Sequence, residues 1–420
     1  MSERDNGNSR HFSWLMKSCF PNPHDNSTIA TTISANKPIS QNQNHRESIG
    51  TTISSLPDDI VLECLSRVPP SSLSSLSLVC RRWARLTNSP DFSDLRRRLS
   101  LLQHSVFAFT AIGSALYTAT LDGGVWKVSV FLDNFHSFLT HARLCSIGPR
   151  IYIVGRHAMV RYDTWATNVT PRSAMIYPRK KFAAAVVSDR IYVAGGGSKT
   201  TAVEEYEPDS DTWRVVSHAP RRRYGCFGAS VDGVFYIIGG LKIGASEGND
   251  VSLAANGTET HAVYASSMDL FDAEAGAWLR SRSVPGGGCV VAACAAAGHV
   301  YVLASHAVEL SFWSFDARRK SSNQGGGGVF GEWCRIKSPP LPAQVTVDSR
   351  VRFSCVGMDE KVVLVQVTGT IDDLLMRTGR SIRGLRQGLV LVYNSVTGEW
   401  SREADLPEVF RRAACVSVEY

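Results

Sequence analysis

The chain has 420 residues, 44% of them hydrophobic and 20% charged, with a formal net charge of +7. That length exceeds one ordinary compact domain, and the composition supports a substantial core, which excludes a largely disordered chain. The modest positive charge favours acidic surfaces as partners and does not by itself require nucleic acid.

The ten cysteines are mostly scattered singly. None has zinc-finger spacing with matching histidines, so no metal site and no cofactor are expected. Several sit inside apolar runs, the usage of a reducing compartment, cytoplasm or nucleus. The stretch FSWLMKSCF is short, is interrupted by Lys17 and lacks a cleavage site, so it does not read as a secretory signal. The apolar run Cys289 to Ala304 is broken by Gly298-His299 and is shorter than the roughly 20 residues a membrane span needs. Two adjacent buried strands explain it better.

Residues 1–50 are rich in Ser, Asn and Thr, with little to bury, and are expected to form a disordered tail. A plastid transit peptide fits less well, because Glu3 and Asp5 come early and Arg is not enriched.

Residues 51–99 are the convincingly helical part. Ser54-Ser55-Leu56-Pro57 offers capping residues, and Pro57 suits a first turn. Ile60, Val61, Cys64 and Leu65 form one apolar stripe, and Val68-Pro69-Pro70 stops that helix. A second helix runs from about Ser71, with Leu73, Leu76 and Val79-Cys80 apolar, and a third carries Trp83 and Leu86 and ends near Ser89-Pro90. Such short helices must pack on one another and on a partner. LPDDIVLECLSRVP, SLSSLSLVCRRWARL and SPDFSDLR resemble the F-box over about 45 residues without a gap. That resemblance implies docking to the Skp-type adaptor of a cullin-based ubiquitin ligase. It sets Leu56, Pro57, Ile60, Leu65, Val68 and Pro69 toward the adaptor. Val79 and Trp83 either join them or hold the helices together. Arg96-Arg97-Arg98 reads as a solvated helix end that favours cations, ahead of a nuclear or phosphate-binding role.

Residues 104–420 change to short β-rich runs with Gly-containing turns. An apolar strand recurs as RIYIVG at Arg150, RIYVAGGG at Arg190, VFYIIGG at Val234, HVYVLAS at His299 and KVVLVQV at Lys361. Each is followed by a strand with an aromatic residue and then a Trp. Seven positions separate Tyr206 from Trp213, Phe271 from Trp278 and Tyr393 from Trp400. Phe315 and Trp333 are 18 apart, and removing eleven residues of the Gly-rich insert around Gly325 to Gly328 restores seven. In the second unit Trp165 comes too early. A repeat of about 40 to 45 residues with four strands means a β-propeller. The units resemble kelch repeats. The expected fold is thus mainly β with a small all-α module, a three-helix F-box before a six-bladed kelch-type propeller. The C-terminal RRAACVSVEY should close the ring by joining the first unit, which has no innermost strand of its own.

In such a blade the loop between the second and third strands shares a face with the link to the next blade. Lys242 to His261 and Thr370 to Gln387 are long loops on that face, where binding usually resides. The links there carry Arg179-Lys180-Lys181, Arg221-Arg222-Arg223, Arg280, Arg282 and Arg411-Arg412, and Arg377, Arg380, Arg383 and Arg386 add to them. A basic face for an acidic target surface follows, with Arg179, Lys180, Arg221, Arg222, Arg223, Lys242, Arg380, Arg383 and Arg386 as its residues. The competing reading is a structural Arg between blades, weaker for the triplets, where one Arg would suffice. Glu204-Glu205 and Asp272 occupy repeated blade positions and read as structural rather than as acid–base groups. A copper radical enzyme would need converging Tyr, His and Cys ligands, a pattern that His299, His306 and Cys289 do not form. Gly195-Gly196-Gly197 and Gly239-Gly240 end strands rather than opening helices, so they cradle no dinucleotide.

The combination resembles the F-box/kelch-repeat proteins common in plants. The resemblance implies a non-catalytic substrate receptor of a Skp–cullin–F-box ligase, without nucleic-acid or membrane partners; similar plant proteins direct turnover of enzymes of phenylpropanoid and flavonoid metabolism, while others act in light or clock signalling. A kelch scaffold acting outside a ligase and a propeller enzyme remain the alternatives, separable by adaptor pulldown and by metal analysis with a turnover screen.

Overall fold

The computed structural model describes residues 53–113, 115–132, 141–197, 200–242, 265–306, 310–319, 331–341, 351–368, 371–372, 385–386, 388–410 and 412–419. The tail expected at 1–50 lies outside them, as do Arg377, Arg380, Arg383 and Arg411. The chain divides into two compact units between Leu101 and Leu102.

The first unit holds four α-helices rather than the three expected: α1 Asp58–Ser66, α2 Pro70–Val79, α3 Arg81–Thr87 and α4 Pro90–Arg98. Ser89-Pro90 ends α3 and also starts α4. The Ser89 side chain accepts a hydrogen bond from the Phe92 N–H, and Pro90 occupies the first turn, where its missing N–H costs nothing. Val61, Leu65, Leu73, Leu76, Trp83, Leu86 and Phe92 form the core. Arg96 is not the solvated end expected of the basic triplet. It is 1% exposed, and its guanidinium donates to the carbonyls of Ser66 (2.9 Å), Val68 (3.0 Å) and Leu101 (2.7 Å). It therefore satisfies the carbonyls left open where α1 ends.

The second unit is a propeller of six four-stranded antiparallel sheets. The innermost strands of the second to sixth blades are Arg143–Ile147, Ala183–Val187, Phe227–Val231, Cys289–Ala296 and Arg352–Met358. In the first blade that place is taken by the last strand, Ala414–Glu419. It pairs antiparallel with His104–Ile112, with Val106 opposite Ser417 and Phe109 opposite Ala414. The ring is thus closed by the C-terminal strand, as the missing inner strand of the first unit requires, and no innermost edge is left open. The core lies between blades. Tyr236, Met268 and Leu270 of the fourth blade pack on Val300, Val302 and Phe315 of the fifth. The run Cys289 to Ala304 is indeed two paired strands, with Val290 opposite Ala304.

The repeated aromatic and Trp are cross-strand neighbours: Tyr206–Trp213, Phe271–Trp278, Phe315–Trp333 and Tyr393–Trp400. Their ring centroids are 5.1, 5.1, 5.1 and 5.3 Å apart. In three of these blades the indole N–H also ties its blade to the preceding one, whereas the buried Trp333 Nε1 has no partner among the described residues. Trp213 donates to the Ser173 carbonyl at 2.8 Å, Trp278 to Ser217 Oγ at 3.0 Å and Trp400 to the Lys337 carbonyl at 2.8 Å. In the first blade Trp126 does the same to the Ala404 carbonyl at 2.8 Å, across the closure. In the second blade Tyr162 faces Val169, and Trp165 falls in the turn before it.

Candidate functional site

Two glycines and an arginine build each well-preserved kelch unit. Arg179 donates to the Gly195 carbonyl at 2.8 Å, to the Ala202 carbonyl at 2.7 Å and to Glu204 Oε1 at 2.7 and 3.0 Å. One blade further, Arg223 donates to the Gly239 carbonyl at 2.8 Å, to the Ser267 carbonyl at 3.2 Å and to Asp269 Oδ2 at 2.7 Å. The two arginines are each 1% exposed and the acids 0% and 1%. Arg179 and Arg223 therefore do not belong to a target-binding surface: their charge is neutralised inside the blade, where a buried ion must be paired. Gly195 and Gly239 sit at φ +72° and +67°, and a Cβ on Gly239 would meet Val290 Cβ at 2.8 Å. The double glycine thus serves chain direction and close blade packing. Glu205 is likewise structural, held by Tyr192, Arg190 and Arg214. Asp272 caps a turn through the N–H groups of Glu274 and Ala275.

The face formed by the blade links keeps other cations in solvent. Lys180, Arg222 and Lys242 are exposed. Arg221 is half-buried and reaches Asp269 at 3.4 Å. Arg386 lies in the short ribbon Ile371–Asp372 with Leu385–Arg386, while Arg380 and Arg383 lie outside the described residues. The paired segments Arg223–Tyr224 and Leu241–Lys242 form a second ribbon. Sequence reasoning missed the apolar members of this face: Ile176 is 50%, Tyr177 39% and Leu241 51% exposed. The signal available was an apolar pair beside Pro178 in a link, away from any strand alternation.

In the helical unit, Leu65 at 4% and Trp83 at 8% exposure lie in the core. Leu65 is therefore turned inward rather than toward a partner, and Trp83 too is packed in the core. Leu56, Val68 and Val79 are half-buried, and Pro57 and Pro69 are exposed. Ile60 is 46% exposed and Leu78, which the sequence reading passed over, 78%. Leu78 breaks the Leu73–Leu76 stripe of α2, and that break is the sequence sign of a residue turned away from the core. The start of α1 is fixed by Arg82, whose Nε donates to Asp58 Oδ1 at 2.7 Å and whose guanidinium also reaches the Leu56 carbonyl. Arg85 reaches Asp58 Oδ2 at 2.9 Å. The hydrogen bond from Arg82 and both positive charges hold the Asp58 carboxyl below its ordinary range.

Among the described residues, no group of three or more His, Cys, Asp or Glu side chains is placed to hold a metal ion, and no helix is long and apolar enough to cross a membrane.

A helical unit with exposed apolar side chains, followed by a closed propeller with a basic loop face, defines an interaction protein with two recognition units. Residues 53–95 match the family model of the F-box domain, and residues 178–219 match that of the Kelch motif. An F-box/kelch-repeat protein of Arabidopsis thaliana, At5g26960, is 57% identical over 99% of this chain and 100% of its own length. A second, At1g67480, is 27% identical over 45% of this chain and 54% of its own length, and F-box protein AFR of the same plant is 32% identical over 40% and 50%. The chain belongs to the F-box/kelch-repeat family. Members of that family are in general receptors rather than enzymes: the F-box implies a Skp-type adaptor as partner, the propeller a target protein, and the two together a substrate-recognition role in ubiquitin ligases.

Proposed function

We propose that the exposed residues Pro57, Ile60, Pro69 and Leu78, with Leu56, Val68 and Val79 beside them, form the surface that docks the Skp-type adaptor and, through it, a cullin scaffold. The propeller's link face, with Lys180, Arg222 and Lys242 around Ile176, Tyr177 and Leu241, receives an acidic surface of the target. The target is then held near a ubiquitin-loaded enzyme supplied by the complex, so the rate gain is one of proximity, and the target goes on to proteasomal degradation. The work is done in the cytoplasm or nucleus. The target class carried over from similar plant proteins is an enzyme of phenylpropanoid or flavonoid metabolism.

The observation that carries this reading is that each unit keeps large apolar side chains in solvent beyond those its own core uses: Leu78 and Ile60 on one, Ile176 and Leu241 on the other. The test is affinity capture from plant cells under proteasome inhibition, with the whole chain and with an Ile60→Glu/Leu78→Glu variant. Proteins that both forms capture, and whose abundance without the inhibitor is higher with the variant than with the unaltered chain, are the targets. Capture of targets without any adaptor by the unaltered chain would favour a scaffold that works outside a ligase.

A further inference from the structure

The innermost strands of all six blades enclose a central cavity of about 240 Å³. Its lining has no Asp or Glu; it is made of small, hydroxyl and thiol side chains such as Ala184, Ser230, Cys294 and Ser417. The mouth on the link face is different. Arg143 and Arg352 open the innermost strands of the second and sixth blades, and His141, Lys180 and Lys181 stand in the links leading into the second and third.

Arg143 is rigidly placed. Its Nε donates to the Phe182 carbonyl at 2.7 Å and its Nη2 to the Cys226 carbonyl at 3.0 Å, with the guanidinium 5.5 Å from the centroid of the Phe227 ring. One side chain of the second blade thus reaches the entries of the third and fourth. The Lys181 ammonium lies 5.4 Å from the Tyr224 ring centroid, which holds its charged end over that ring. Among the described residues no carboxylate pairs with Arg143, Lys180, Lys181 or Arg352, in contrast to Arg179 and Arg223. The His141 imidazole is held below its ordinary range by burial and then by Lys181, Lys180, Arg352 and Arg143.

We propose that this mouth is a phosphate-binding site that takes a phosphorylated segment of the target protein. The inference rests on the receptor reading above and gives it a chemistry. A phosphoserine or phosphothreonine presents a charge of about −1.5 to −2 and three acceptor oxygens to converging donors. A single carboxylate would neutralise only about a quarter of the four charges gathered there. The placement suits a peptide rather than a nucleic acid. The four cations stand at the entries of the second, third and sixth blades about one opening, where a single phosphate rather than a long repeated backbone would be met.

The test uses the whole chain with its adaptor bound. It compares three degenerate peptide libraries that differ at one fixed central position: phosphoserine, serine or glutamate. The phosphoserine library should be retained at least tenfold above the other two. A Lys180→Gln/Lys181→Gln/Arg352→Gln variant should lose that preference while its melting and adaptor capture stay unchanged. Equal retention of the three libraries, or a variant that retains the phosphoserine library as the unaltered chain does, overturns the phosphate site. Target capture that survives phosphatase treatment of the extract would overturn it too while leaving the receptor reading standing. The receptor reading itself fails separately, by absence of adaptor or of any captured target.

Discussion

Arg223 and Asp269 meet inside the fourth blade with Nε 2.7 Å from Oδ2, although 46 residues of chain separate them. In the third blade Arg179 and Glu204 do the same across 25 residues. In both, the arginine also takes the carbonyl of the glycine sixteen positions on. The long excursion after Leu241 is therefore added to the blade without disturbing its internal ion pair.

Breaking that pair from one side leaves a buried carboxylate alone. Arg223→Ala should lower the stability of the propeller by about 3 to 5 kcal/mol, and Arg179→Ala likewise. Arg222→Ala, one position away and exposed, should change it by less than about 0.5 kcal/mol. Urea denaturation followed by tryptophan fluorescence reads the difference, and equal effects at 222 and 223 would contradict the assignment.

Arg96 makes an equivalent case in the helical unit. Arg96→Ala uncovers three backbone carbonyls that no water replaces easily, at about 1 to 3 kcal/mol each for a group left unsatisfied. The expected result is loss of the helical unit's cooperative melt and of adaptor binding, with the propeller's melt unchanged. Arg98→Ala, exposed at the end of α4, is the control and should leave both intact.

On the proposed adaptor surface the prediction separates contact from folding. Ile60→Glu and Leu78→Glu should abolish adaptor capture and keep the helical circular-dichroism signal. Leu65→Ala and Trp83→Ala should lose both, since truncating a buried Leu or Trp costs about 2 to 5 kcal/mol. Adaptor binding that survives Leu78→Glu would remove that residue from the interface.

The propeller should be labile to base. Burial pushes the Cys145 thiol from 9.0 up to about 12 and the Tyr162 phenol from 10.0 up to about 12. Between those pH limits the unfolded chain has lost protons that the folded chain still holds, so stability falls as pH rises, by about 1.4 kcal/mol per pH unit for each such group. The denaturant midpoint should be flat from about pH 7 to 8.5 and fall between about pH 9 and 12, less steeply in Cys145→Ala. A midpoint that rises with pH in that window would contradict the burial of these groups.

Much of the fold was legible because it repeats. The seven-residue step between an aromatic and a Trp is a local hairpin, and it identified the ladder partners Phe315 and Trp333 despite the residues inserted between them. The closure was legible because the first unit lacks an inner strand and the last has a spare one. The fourth helix was hidden because Ser-Pro is both a stop and a start. The site was legible in outline only. A triplet such as Arg221-Arg222-Arg223 is uniform in sequence, and its members part company through an acid 46 residues away. Nothing local marks Arg223 as buried and Arg222 as exposed. The cations at the cavity mouth were harder still, since Arg143 and Arg352 open innermost strands far apart in the chain and only ring closure sets both at the link-face end of one cavity.

In the proposed role one chain joins two partners through separate surfaces, and co-capture tests that directly. The unaltered protein should hold the adaptor and a target in one complex. Ile60→Glu/Leu78→Glu should lose the adaptor and keep the target, and Lys180→Glu/Arg222→Glu/Lys242→Glu should lose the target and keep the adaptor. Loss of both partners from either variant, or of neither, would contradict it.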